Sequence, residues 1–126
     1  MKIYVKASYR NWNKPFPELS SREKSAGYKM IMSEYEEQGF TKDQLHQIKL
    51  GLSDNVDVDI YADPRFDAKQ MGQIRMGLID GVDVEEYMNP KYTWRKMKAI
   101  RYWLLYGYDK AIRKWDEAKY YLKDYA

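Results

Sequence analysis

From Thr41 onward, apolar residues recur at i, i+3 and i+7 in three blocks, Leu45/Ile48/Leu52, Met71/Ile74/Leu78 and Met97/Ile100/Leu104. That spacing lays one apolar stripe along a helix and predicts three helices that each bury it. Thr41, Asp67 and Thr93 stand where an N-cap oxygen accepts free amide hydrogens of the first turn. Asn55, Gly81 and Gly107 stand at the other end and are residue types that tolerate the left-handed conformation that ends a helix. Val56, Val82 and Tyr108 follow as the apolar residue that folds back onto the helix end. Asp57, Asp83 and Asp109 are then expected to cap a second helix, which Pro64 and Pro90 stop after about one turn. Position 116 is Asp and not Pro, so the third short helix is expected to run on through Trp115, Ala118, Leu122 and Tyr125 to the C-terminus.

Upstream the period changes. Lys2, Ile3, Tyr4, Val5, Lys6, Ala7 and Ser8 alternate with a period of two, which predicts a short half-buried strand. Pro15 and Pro17 force extended backbone in the linker that follows. Ser20 and Glu23 then form a capping-box pattern, and Tyr28, Ile31, Met32 and Tyr35 continue at helical spacing toward Gly39, which predicts a helix over about 21–38.

The three blocks are copies of one unit. Phe40–Arg65 aligns with Phe66–Lys91 at a constant offset of 26, as from Gly51 to Gly77, Asp57 to Asp83, Tyr61 to Tyr87 and Pro64 to Pro90. A fading third copy keeps the phase, with Met97 under Met71, Leu104 under Leu78 and Gly107 under Gly81. A fixed period of this length marks one supersecondary unit stacked on itself, an architecture that binds partners more often than it catalyses reactions. The expected fold is mainly α, α+β at most: a single domain, 1–126, of three stacked helix–turn–short-helix repeats over 40–65, 66–91 and 92–117. Residues 1–39 form a strand-and-helix cap at one end, and a long C-terminal helix to 126 closes the other.

Charge adds an asymmetry to this frame. The net charge is +3, but residues 40–90 carry 5 Lys/Arg against 10 Asp/Glu, whereas residues 91–126 carry 10 against 4. Such a division suits an electrostatic contact face, and equally an acidic and a basic segment that solvate or pack on each other. Thirteen Tyr and 4 Trp supply rigid rings with a polar tip, favoured at interfaces. The chain has no Cys, which removes disulfides and thiolate chemistry and suits a reducing cytoplasm. No run reaches membrane-spanning length.

Residues that differ between copies are the better functional candidates, because caps, turns and core already account for the shared ones. In the third long helix, Arg95, Lys98, Tyr102 and Tyr106 lie opposite the apolar stripe, and Arg113, Lys114 and Lys119 continue the basic character toward the C-terminus. They form a candidate contact for phosphates or an acidic protein surface; an ordinary solvated helix face is the competing account. Asp59, Glu85 and Glu86 are the acidic alternative, able to imitate phosphates toward a basic partner. The run Asp54, Asp57, Asp59, Asp63 lacks the spacing of a calcium loop, and no metal or other cofactor is expected. His46 is the single histidine, replaced by Gly72 and Lys98 in the other copies, so it reads as an exposed helix position and not as part of a triad.

The strings QLHQIKLGLSDNVDVDIYADP and QMGQIRMGLIDGVDVEEYMNP resemble the short QMxxIRxGLxxGxDVxxYxxP repeats of small accessory proteins from phages and conjugative elements of gut Firmicutes. The likeness spans about residues 40–108 and departs from the pattern at Asn55 and at Trp103, where the repeat predicts glycine. It brings no catalytic or binding residue with it. What it implies is a setting, that of small proteins that bind host defence machinery, anti-CRISPR inhibitors among them.

The leading expectation is therefore a non-catalytic inhibitor in the bacterial cytoplasm that binds a defence nuclease, such as a CRISPR effector, and blocks its nucleic-acid site or its movement. One alternative is a nucleic-acid-binding accessory protein that uses the basic C-terminal third. The other is an oligomeric scaffold, a homodimer in which the strand at residues 2–8 pairs across a twofold axis.

Overall fold

A computed structural model describes residues 21–125; the strand expected at residues 2–8, the twofold pairing built on it, the linker and the Ser20 cap lie outside them. Among the described residues the chain is mainly helical, and no helix is long and apolar enough to cross a membrane. The α-helices are α1 Ser21–Glu37, α2 Lys42–Ser53, α3 Ala68–Asp80, α4 Trp94–Tyr106, α5 Tyr108–Lys114 and α6 Ala118–Tyr121. Single turns of 3₁₀ helix lie at Val58–Ile60, Val84–Glu86 and Lys123–Tyr125. The chain divides into two compact units between Pro64 and Arg65, at the end of the first repeat.

In the first unit α1 packs on α2. Thr41 caps α2: its hydroxyl accepts from the Gln44 amide at 3.2 Å, and the Gln44 side chain accepts from the Thr41 amide at 2.8 Å. The Gln44 Nε2 group also donates to the carbonyl of Pro64 at 3.3 Å, so one buried side chain ties the start of the repeat to its end. Ile48 and Leu52 are fully buried, whereas Leu45 is half-buried. Beyond α2, Asn55 takes a left-handed φ of 57°, and the Val56 amide reaches back to the carbonyl of Gly51 at 3.0 Å. Asp57 then caps the one-turn helix Val58–Ile60.

The second unit repeats these contacts in its first half. Asp67 and Gln70 form the same capping box, both bonds at 2.8 Å, and Gln70 Nε2 donates to the carbonyls of Pro90 and Tyr92 at 3.0 and 2.7 Å. Gly81 ends α3 with φ 76° and ψ 19°, and Asp83 caps Val84–Glu86. Helix α4, capped by Thr93, packs on α3, and α5 and α6 pack on α4. Met71, Ile74, Met97 and Ile100 are fully buried; Leu78 and Leu104 are half-buried.

In both complete copies a tyrosine locks the unit. The Tyr61 hydroxyl donates to the Gln47 carbonyl and the Tyr87 hydroxyl to the Gln73 carbonyl, each at 2.7 Å, and both rings are fully buried. The hydroxyls rest where Gly51 and Gly77 present bare backbone, and a Cβ at either glycine would land on the tyrosine oxygen. The third copy gives up the whole set together. Lys96 stands in place of the capping glutamine Gln44 or Gln70, Trp103 in place of the glycine, Arg113 in place of the tyrosine and Asp116 in place of the proline.

With the lock gone, the end of the chain departs from expectation. Gly107 has φ 82° with ψ 169°, an extended glycine conformation and not the left-handed helix cap, and α5 starts at Tyr108 so that Asp109 lies in its first turn instead of capping it. The continuous C-terminal helix is also overturned. Helix α5 ends at Lys114, Trp115 is extended at φ −150° and ψ 98°, and the chain resumes as the short α6. The break lets Trp115 set its ring among Tyr102, Tyr121 and Lys98, contacts that offset the helical hydrogen bonds lost.

The repeat also names a stabilising substitution. Asn55 holds the place of Gly81, bears the cost of a side chain at positive φ, and its Oδ1 is buried with no hydrogen-bond partner among the described residues. Asn55→Gly is expected to raise the unfolding free energy by about 1 kcal/mol. Urea unfolding of the two proteins measures this, and an unchanged or lower midpoint contradicts it.

Candidate functional site

Helix α4 places Lys98, Tyr102 and Tyr106 at i, i+4 and i+8, one above another on a single face. Tyr102 and Tyr106 meet edge to face at 5.7 Å between ring centres. Tyr102 then meets Trp115 at 6.2 Å, and Trp115 stacks on Tyr121 of α6 at 6.0 Å with the planes 15° apart. Four rings, Tyr106, Tyr102, Trp115 and Tyr121, thus form a chain across α4, the α5–α6 corner and α6, and all four are half-buried.

Cations lie on this chain. The Lys98 ammonium sits 4.3 Å from the centre of Trp115 and 5.6 Å from that of Tyr102. Lys114 and Lys110, from α5, sit 4.7 and 5.3 Å from the centre of Tyr106. Each such contact contributes on the order of 0.5–1 kcal/mol at a solvated site, enough to bias where a lysine head rests while leaving its charge open to a ligand. From the inner side Arg101 places its guanidinium 5.1 Å from Tyr102. Arg101 is itself buried, with Nη1 paired to Asp80 Oδ2 at 2.9 Å and Nε donating to Gln73 Oε1 at 3.1 Å.

Of the residues singled out in the sequence, the structure gathers Lys98, Tyr102, Tyr106 and Lys114. Arg95 stacks instead on Trp94 at 4.9 Å, a ring it shares with Lys69 at 5.4 Å, apart from the four-ring chain. Arg113 is exposed on α5. Lys119 pairs with Asp116 at 3.4 Å and lies over the exposed ring of Tyr120. Of the acidic candidates, Asp59 belongs to the first unit and Glu85 and Glu86 to the second. Asp59 accepts the Tyr35 hydroxyl at 2.6 Å, which gives it structural work, whereas Glu85 and Glu86 are exposed on the 3₁₀ turn.

Sequence reasoning missed Lys110, Trp115, Tyr121 and Arg101. Lys110 had a signal, since it replaces Val58 and Val84, both buried in the complete copies. No protein-family model, no curated protein and no solved structure matches this chain.

Proposed function

We propose that the protein works by binding, without turnover, and that the third repeat is its binding part while the two complete copies serve as scaffold. One observation supports this above all: Lys98, Lys110 and Lys114 each rest over a ring of the four-ring chain, in the copy that has exchanged its locking residues for cations and aromatics. A face of this kind suits an anionic macromolecular partner. The likeness of the repeat to those of phage and conjugative-element proteins supports a target class, a bacterial defence nuclease such as a CRISPR effector, inhibited when the protein holds an anionic element of its complex. The acidic face is the weaker candidate, because Asp59 is engaged by Tyr35.

The test titrates the protein into a panel of purified RNA-guided nucleases. Inhibition should rise linearly to an equivalence point at a fixed ratio, and Lys98→Glu with Lys114→Glu should weaken it by about tenfold or more. If no nuclease is inhibited, or if activity disappears at far below equivalence, the inhibitor reading is wrong.

A further inference from the structure

We infer that the face formed by Lys98, Tyr102, Tyr106, Lys110, Lys114 and Trp115 takes single-stranded nucleic acid. The inference rests on the binding function proposed above and narrows its partner. Three anionic partners are chemically reasonable, and the composition of the face separates them. An acidic peptide would satisfy the lysines but make no use of a continuous run of four rings. A duplex offers phosphates, yet its bases are stacked on each other and cannot reach side-chain rings. A single strand presents phosphates and open base faces together, and the structure offers a run of rings with lysines over three of the four.

Burial and geometry agree with that order of preference. The rings are half-buried, so each is held by the protein on one side and keeps exposed surface on the other. Tyr102 is held from within by Arg101, and Trp115 is held by Tyr121, which leaves a supported platform and little rotamer freedom to lose on binding. A phosphate that draws Lys98 or Lys114 toward itself uncovers the ring beneath, so charge neutralisation and stacking are coupled. Asp109, Asp116 and Glu117 are exposed on the same stretch. Asp116 is paired with Lys119.

Three probes are compared at low and moderate salt: an oligothymidine of about twenty nucleotides, a duplex of similar length and polyglutamate. Binding is read by anisotropy of a labelled probe and by tryptophan emission of the full chain. The oligothymidine should bind most tightly, quench the tryptophan emission and weaken steeply as salt rises. Lys98→Glu with Lys114→Glu should cost about tenfold or more in affinity, whereas Lys91→Glu with Lys123→Glu, an equal charge change at two exposed lysines outside the face, should cost less than about threefold. Trp115→Phe should lose most of the quench and weaken binding by about threefold, a smaller ring still being able to stack, with circular dichroism confirming that each variant is folded. Polyglutamate or duplex binding as tightly, without quenching, overturns the single-strand assignment and leaves the anionic-partner reading standing. Failure of all three probes overturns both.

Discussion

Gly77→Ala is expected to destabilise the protein by about 3 kcal/mol, although alanine is the better helix former by about 1 kcal/mol. The sign is the test. Gly77 lies within α3, where propensity alone makes the substitution stabilising. Packing reverses this, because the new Cβ lands on the Tyr87 hydroxyl and comes within 2.8 Å of Val84 Cγ1. Both neighbours are buried, so relief requires moving the 3₁₀ turn off the helix. Tyr87→Phe alone should cost about 1–2 kcal/mol, the loss of a buried hydrogen bond to the Gln73 carbonyl. In the double variant the closest clash is gone, so the two costs should add to less than their sum by at least about 1 kcal/mol. Gly51→Ala should behave alike in the first unit, where Tyr61 occupies the corresponding seat. A raised melting temperature for Gly77→Ala would show that the tyrosine does not close the unit.

The same lock carries an alkaline signature. Burial pushes the Tyr87 phenol well above its ordinary value, partly opposed by Arg101, and Tyr35 is raised by burial and then by its hydrogen bond to Asp59. Above about pH 10 the unfolded chain releases these protons while the folded chain keeps them, so the unfolded state binds fewer protons and stability falls. Their contribution is whole below about pH 10 and shrinks by about 1.4 kcal/mol per pH unit for each tyrosine above it. Tyr87→Phe should remove its share of that slope in urea unfolding measured across alkaline pH.

Much of the local structure was legible because it follows from side chains acting over a few residues. Thr41, Asp67 and Thr93 cap their helices, Asn55 and Gly81 take positive φ, and Asp57 and Asp83 cap one-turn helices, each from its own chemistry. The role of Gly51 and Gly77 was not legible, since a glycine inside a helix gives no sign that a tyrosine ten residues later needs its bare backbone. Nor was the second task of Gln44 and Gln70, which satisfy the cap and a proline carbonyl twenty residues on. In the candidate site, helical spacing placed Lys98, Tyr102 and Tyr106 on one face. It carried the last helix straight through Trp115, and so lost the ring that joins Tyr102 to Tyr121. The chain turns there for reasons of tertiary packing, which residue periodicity does not contain.

Arg101 is the other residue whose role runs against its type, and Arg101→Met is expected to cost about 2 kcal/mol. Its repeat position holds Lys49 and Arg75 in the other copies, which reads as an outward basic site. Yet it lies four residues after Met97 on the side of α4 that faces α3, and there it meets Asp80 and Gln73. Methionine keeps most of the packed volume, so the loss reports the polar contacts. The magnitude stays below that of a fully buried pair because the Asp80 side chain is 29% exposed and water takes up part of its charge. A cycle with Asp80→Ala should show a coupling of about 1 kcal/mol, and simple additivity would remove the ion pair from the account. The variant also probes the binding face without touching a ligand. With the guanidinium gone from behind Tyr102, the ring loses its support from within, and affinity for oligothymidine should drop about threefold while the dependence on salt stays the same. A changed salt dependence would mean that Arg101 meets the phosphates itself, which its burial argues against.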